Sequence, residues 1–140
     1  MLKNLRTLRI EWGDCDPAGI VYYPRYFAMF DHSTTTLISA ASGLNKFDLL
    51  KKYAMAGYPM VDTRARFLVP IRYGDDVTIE SQFTKVGTSS FDIRHKLFRG
   101  STLCVEGFET RVWVGYDPHD PARIRSNPIP EDLAAKFRAG

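Results

Sequence analysis

Cysteine is scarce in this chain: Cys15 and Cys104 are its only two, far apart and in no CxxC or Cys/His spacing. That excludes a zinc ribbon and a disulfide framework, and free thiols in a reducing cytoplasm are the expectation. Long apolar runs are missing as well, since no stretch approaches the roughly 20 residues a membrane span needs. The opening Met1-Leu2-Lys3-Asn4-Leu5-Arg6-Thr7-Leu8-Arg9 interleaves charge with leucine instead of supplying the apolar centre of a signal peptide. Charge of one sign is barely in excess: 19 Lys+Arg against 16 Asp+Glu leave +3 over 140 residues. A nucleic-acid face needs a concentrated basic patch, so none is expected, whereas an anionic small molecule fits this balance. Repeats, low-complexity runs and long linkers do not occur.

What is present is a core former. With 44% hydrophobic residues and 13% aromatic ones, a chain of this length can bury roughly two-thirds of its unfolded surface, as one domain over residues 1–140. Leu5 to Trp12 alternates loosely between apolar and charged residues and reads as a strand, followed by a loop from Gly13 to Gly19. At Pro24 the period lengthens. Tyr26, Phe30, Ser33 and Leu37 follow one helical stripe and Phe27, Thr34, Ile38 and Ala41 its neighbour, so a helix over about 24–42 is predicted. Pro24 at its first position and Gly43 just beyond its end are the usual punctuation. Thr34-Thr35-Thr36 opposes it on propensity, but no charged residue occurs between His32 and Lys46, which marks a largely buried helix.

Strand character then returns over Met60–Val69, Val77–Val86, Ser90–Arg99 and Leu103–Tyr116, with turns at Gly74-Asp75-Asp76, Gly87-Thr88-Ser89 and Gly100-Ser101. A loop over Asp117–Pro121 and a short terminal helix opened by Pro130 complete the pattern. This order predicts an α+β fold in which an antiparallel sheet wraps one long central helix. One helix face and the sheet edges stay open, so assembly of copies is expected.

The chemistry concentrates in Gly13-Asp14-Cys15-Asp16-Pro17-Ala18-Gly19-Ile20-Val21-Tyr22-Tyr23-Pro24-Arg25-Tyr26. Two carboxylates precede the N-terminus of a buried helix, where unpaired N–H groups and the positive end of the dipole attract developing negative charge. Pro24 has no N–H, so the expected donors are Tyr23, Arg25 and Tyr26. A carbonyl held there is polarised as in an oxyanion hole, and Asp16 beside it could attack it or activate water. The alternative is that Asp14 and Asp16 are turn residues capping local N–H groups.

The run Gly13 to Val21, followed by the Tyr23-Pro24 pair, resembles the signature of the hotdog-fold acyl-CoA thioesterases, in the branch named for 4-hydroxybenzoyl-CoA thioesterase. Phe67-Leu68-Val69-Pro70-Ile71-Arg72-Tyr73-Gly74-Asp75 is similar to the pattern that ends the second strand in that fold. The resemblance implies a cytoplasmic hydrolase of an acyl-CoA, first an aryl-CoA such as a hydroxybenzoyl-CoA, with no cofactor, coenzyme A being part of the substrate. It also implies no metal, no nucleic-acid or membrane partner, and a homotetramer built as a dimer of dimers. Asp16 matches the catalytic nucleophile or general base, and Tyr23 the residue whose backbone N–H polarises the thioester carbonyl. Tyr22, Pro24, Tyr26 and Phe27, within the aromatic-rich segment Tyr22 to Phe30, are expected to shape the acyl pocket. Asp31 matches an acidic residue near that pocket. At ~1.5 Å per residue it lies about 7–8 Å along the helix from Tyr26, the span from a benzoyl carbonyl to its para hydroxyl. The other reading pairs Asp31 with His32 or with a basic strand residue.

One departure bears on the carrier. Where the hydroxybenzoyl-CoA branch has a run of Arg and Lys that clasps the coenzyme's phosphates, Lys85-Val86-Gly87-Thr88-Ser89-Ser90 offers only Lys85 as a cation. Lys85, Ser89 and Ser90 are kept as substrate-binding candidates. Arg94, Lys96 and Arg99 are further candidates for the phosphates, or are solvated strand charges. His32 and His95 read as structural, His119 as part of a solvated turn, and Cys15, with no positioned histidine, as a small residue fixing the loop. Rival readings are a short-chain aliphatic acyl-CoA thioesterase and a non-catalytic acyl-thioester binding module. The His-Phe-Pro signature of hotdog dehydratases is not present.

Overall fold

A computed structural model describes residues 1–140. The predicted helix forms over its full expected range as α1 (Pro24–Ser42), with Pro24 in its first turn and Gly43 closing it at φ +72°, a left-handed conformation that costs glycine no Cβ clash. Its buried residues are Tyr26, Met29, Phe30, Ser33, Thr34, Leu37, Ile38 and Ala41, a stripe at helical spacing. The opposite side, with Arg25, Ala28, Asp31, His32 and Ala40, faces solvent.

Five strands form one antiparallel sheet: β1 (Lys3–Arg9), β2 (Met60–Phe67), β3 (Asp76–Val86), β4 (Ser90–Arg99) and β5 (Thr102–Val112), in the order β1-β3-β4-β5-β2. β3, β4 and β5 meander as expected. β2 pairs with β5 at one edge, and β1 with β3 at the other.

The first strand ends three residues earlier than its alternation suggests. Trp12–Asp14 makes a 3-10 turn in which Asp14 Oδ2 accepts from the Glu11 N–H at 2.9 Å, so the chain bends before Trp12 can pair. The last predicted strand breaks at buried Trp113, whose N–H donates to Ser89 O at 2.7 Å. Beyond it, β6 (Val114–Tyr116) leaves the sheet and pairs with β7 (Ile124–Ser126). Sequence patterning did not mark β7, nor α2 (Lys46–Lys52), which Asn45 caps by accepting from the Asp48 N–H. The terminal helix is α3 (Glu131–Arg138).

Two apolar clusters fill the space between α1 and the sheet. One gathers around Leu37, Ile38, Phe83, Phe91, Trp113 and Phe137, the other around Ile10, Val21, Tyr26, Phe30, Ile71 and Leu97. A polar belt lies at the seam. His95 alternates inward between Ile93 of the first cluster and Leu97 of the second, as Ser81 does between Phe83 and Ile79 and Thr34 between Leu37 and Phe30.

Candidate active site

Backbone pairing builds the Gly13–Gly19 loop into a tight turn. Asp16 N–H donates to Ile20 O, Gly19 N–H to Asp16 O and Ala18 N–H to Asp16 Oδ1, at 2.8–2.9 Å. Bridges from Cys15 to Val21 and from Ile20 to Arg72 then fasten the turn to the segment before β3. Asp16 therefore does cap a local N–H, as the turn reading expects. Only Oδ1 is used, however, and Oδ2 accepts from no protein group. Asp14 is committed differently, its side chain serving the Glu11 N–H.

At the start of α1 the three expected donors reduce to one. Arg25 N–H donates to Tyr22 O at 2.8 Å and Tyr26 N–H to Tyr23 O at 3.1 Å, because the first turn is wound with i to i−3 bonds. Tyr23 N–H has no intramolecular acceptor among the hydrogen bonds. This donor adjoins the largest cleft of the chain, about 390 Å³, lined by Ile20, Val21, Tyr23, Tyr26 and the segment Phe67–Pro70, almost all apolar. Ile20, whose carbonyl holds Asp16 across the turn, is one wall of that cleft, while Asp16 itself stands beside the cleft and does not line it.

Tyr23 and Tyr26 both line the cleft, one exposed at its rim and one buried. Burial pushes the Tyr26 phenol above its ordinary pKa, so it stays neutral. Tyr22 touches Tyr23 edge-on at 5.6 Å but stands outside the cleft, and Pro24 contributes the helix start. Phe27 is half-buried and does not line the cleft. Phe30, at the far end of the aromatic segment, is a core residue: its ring stacks on His95 at 4.8 Å and covers Gly107. The residues that patterning left out of the pocket are Phe67 to Pro70. They lie far from Tyr23 in sequence, although their aromatic-to-proline run was itself a visible signal.

Asp31 sits about 12 Å along α1 from Tyr23, beyond this cleft. Its Oδ1 accepts from Arg111 Nη2 at 2.7 Å, so the basic strand partner exists, while its side chain is 63% exposed. Arg111 in turn donates from Nε to Glu109 Oε1 at 2.7 Å. Thr34 Oγ1 donates to the same oxygen, and His95 Nε2 lies 3.0 Å from Glu109 Oε2. His95 Nδ1 is 2.7 Å from Ser81 Oγ. Burial pushes the Glu109 carboxyl up, but the hydrogen bonds and charges of His95 and Arg111 outweigh it and hold the group below the usual carboxylate range. His95 is accordingly structural, as expected, and His32 lies on the exposed side of α1.

Lys85, Ser89 and Ser90 lie at the opposite end of the sheet. β3 runs 11 residues from the cleft end to Val86, which is about 33 Å at ~3 Å per residue. One protomer therefore does not bring them to Asp16. Arg94 is tied to Glu106 at 2.7 Å, and Lys96 stands between Glu80 and Glu106 in cross-strand register. Arg99 bonds Asp75 and the carbonyl of Pro70, a cleft residue. The Cys15 thiol is pushed up by burial and by the charges of Asp14 and Asp16, which disfavours a thiolate nucleophile. No group of three His, Cys, Asp or Glu side chains is placed to hold a metal ion, and no helix is long and apolar enough to cross a membrane.

Comparison with known proteins bears on this geometry. Residues 10–137 match the model of the thioesterase-like superfamily. The chain is 30% identical over 129 residues to 4-hydroxybenzoyl-CoA thioesterase of Pseudomonas sp. strain CBS-3, covering 89% of each. The solved structure of that enzyme matches with a TM-score of 0.86 at 28% identity, over 97% of this chain and 99% of the other. The gentisyl-coenzyme A thioesterase BH1999 matches with a TM-score of 0.80 at 25% identity, over 93% and 98%. Acyl-CoA thioester hydrolase YbgC of Escherichia coli O157:H7 is 22% identical over 132 residues, 94% and 92% of the two chains. The chain belongs to the thioesterase-like superfamily, as a thioester hydrolase with the hotdog fold.

Proposed function

We propose that the chain hydrolyses an aryl-CoA thioester, a hydroxybenzoyl-CoA first, to the free acid and coenzyme A. One observation carries this reading. An unpaired backbone donor, Tyr23 N–H, adjoins an apolar aromatic cleft walled by the very turn that holds a half-committed carboxylate, Asp16. The thioester carbonyl accepts from Tyr23 N–H, which stabilises the oxyanion as the carbonyl carbon becomes tetrahedral. Asp16 Oδ2 either adds to that carbon and expels the thiolate, leaving an acyl anhydride that water opens, or takes a proton from the attacking water. Both routes consume one water per thioester and need no cofactor or metal. The names of the hydroxybenzoyl and gentisyl relatives support an aryl acyl group.

Asp31, with Oδ2 open to solvent beside the Arg111 contact, is the proposed acceptor for a ring hydroxyl. It does not line its own cleft, so the contact would fall in the cleft of a neighbouring copy. The unpaired edge of β2, with exposed Val61, supports assembly as a dimer or dimer of dimers, which light scattering would read. Lys85, Ser89 and Ser90 would likewise serve a neighbouring copy. Two unpaired cysteines fit a cytoplasmic setting. Thiol release from 4-hydroxybenzoyl, benzoyl, phenylacetyl, acetyl and hexanoyl esters of coenzyme A tests the reading. Preference for an aryl ester supports it, preference for hexanoyl or acetyl moves the substrate to the aliphatic class, and no turnover leaves a binding module.

A further inference from the structure

Phe67 is out of place for a phenylalanine. It ends β2, shares the inward face of Ala65, and yet is 51% exposed. Beyond it both Leu68 N–H and Val69 N–H donate to the single carbonyl of Cys104, at 2.8 and 3.0 Å. That shared acceptor ends the ladder and leaves the Phe67 ring standing over the start of α1. There it meets Tyr26 at 5.7 Å between centroids with planes 38° apart, and Tyr23 at 6.4 Å with planes 72° apart. Three rings thus border one end of the cleft beside the free Tyr23 N–H, and no charged side chain lines the cavity.

We infer that Phe67 is a specificity-determining residue, the flat wall on which a planar aromatic acyl group stacks while its carbonyl reaches Tyr23 N–H. The inference rests on the thioesterase reading above and adds the residue that separates aryl from alkyl acyl groups. Ring-on-ring contact rewards a benzoyl group beyond its buried area and gives a flexible alkyl chain nothing comparable. An exposed ring at a pocket rim also explains why burial did not select this phenylalanine.

The test is kcat/KM for benzoyl-CoA and hexanoyl-CoA with wild type, Phe67→Leu and Phe67→Tyr. Phe67→Leu keeps apolar bulk at a half-exposed site, so it folds. Its benzoyl value is expected to fall about tenfold and its hexanoyl value about twofold, a fivefold drop in the aryl-to-alkyl ratio, while Phe67→Tyr retains the wild-type ratio. An unchanged ratio in Phe67→Leu, an equal loss on both esters, or a wild type that prefers hexanoyl overturns the inference. A wild type inactive on every ester overturns the parent reading and this one together, and the wild-type measurement alone separates that case from failure of the Phe67 role.

Discussion

Two polar clusters lie along the same helix and are built in opposite ways. Midway along α1, Thr34, His95, Ser81, Glu109 and Arg111 are buried between two apolar clusters, and each side chain finds a partner at 2.7–3.3 Å. The one buried side-chain nitrogen or oxygen without a partner, Arg94 Nε, is not among them. At the N-terminus of α1, Asp16 uses one of its two carboxylate oxygens and Tyr23 N–H has no acceptor. A sealed belt of charges needs full pairing because desolvated groups are costly to leave alone. An open site must keep a donor and an acceptor free, since a group already paired cannot bind a substrate. Pairing distinguishes the two, whereas charge does not: each holds a carboxylate, Glu109 fully paired in the belt and Asp16 half-paired at the site.

The comparison breaks most sharply at Asp16. Asp16→Asn is expected to lower kcat/KM for an aryl ester by about a thousandfold or more, as loss of a nucleophile or base does, with the unfolding transition where wild type has it. Thiol release and thermal melting check the two halves. Glu109→Gln does the reverse. It leaves Arg111 and His95 without their shared carboxylate, and loss of about 3–5 kcal/mol is expected by urea unfolding. The pH dependence follows from the lowered Glu109 pKa. A carboxyl depressed in the folded state adds stability above the unfolded value of about 4.3 and loses it as pH falls toward the folded one. Acid unfolding of wild type therefore carries this contribution, and Glu109→Gln flattens it.

Smaller effects sharpen the contrast. A methyl at Gly107 would lie 2.5 and 2.7 Å from two Phe30 ring carbons, which in turn brace His95. Gly107→Ala should cost about 1–3 kcal/mol in denaturant titration. Asp31 joins the belt to solvent through Arg111. Asp31→Ala is expected to melt close to wild type while the preference for 4-hydroxybenzoyl-CoA over benzoyl-CoA drops about tenfold, and an unchanged preference removes it from hydroxyl recognition.

Local signals made part of this architecture readable in advance. Pro24 and Gly43 bracket α1 because both residues have backbone preferences that act within one turn. Period-two alternation marked β3 and β4 because each presents one face to the core. Asp16 and Tyr23 were legible as a run of neighbours. The belt was not, since Glu109 and Arg111 look like ordinary strand charges and their partners Thr34 and Asp31 are 75 and 80 positions away. Neither was the closure of Arg25 and Tyr26 N–H by 3-10 bonds, which depends on the angle at which the chain enters α1. The run that holds Phe67 was visible but its place at the cleft was not, because its ring meets Tyr23 only once the end of β2 reaches the start of α1.

The most direct test of the central claim is thiol release from 4-hydroxybenzoyl-CoA by Asp16→Asn, with its melting temperature taken on the same preparation. The account predicts a folded protein with wild-type melting and at least a thousandfold less turnover. A folded Asp16→Asn that turns over at the wild-type rate would contradict it.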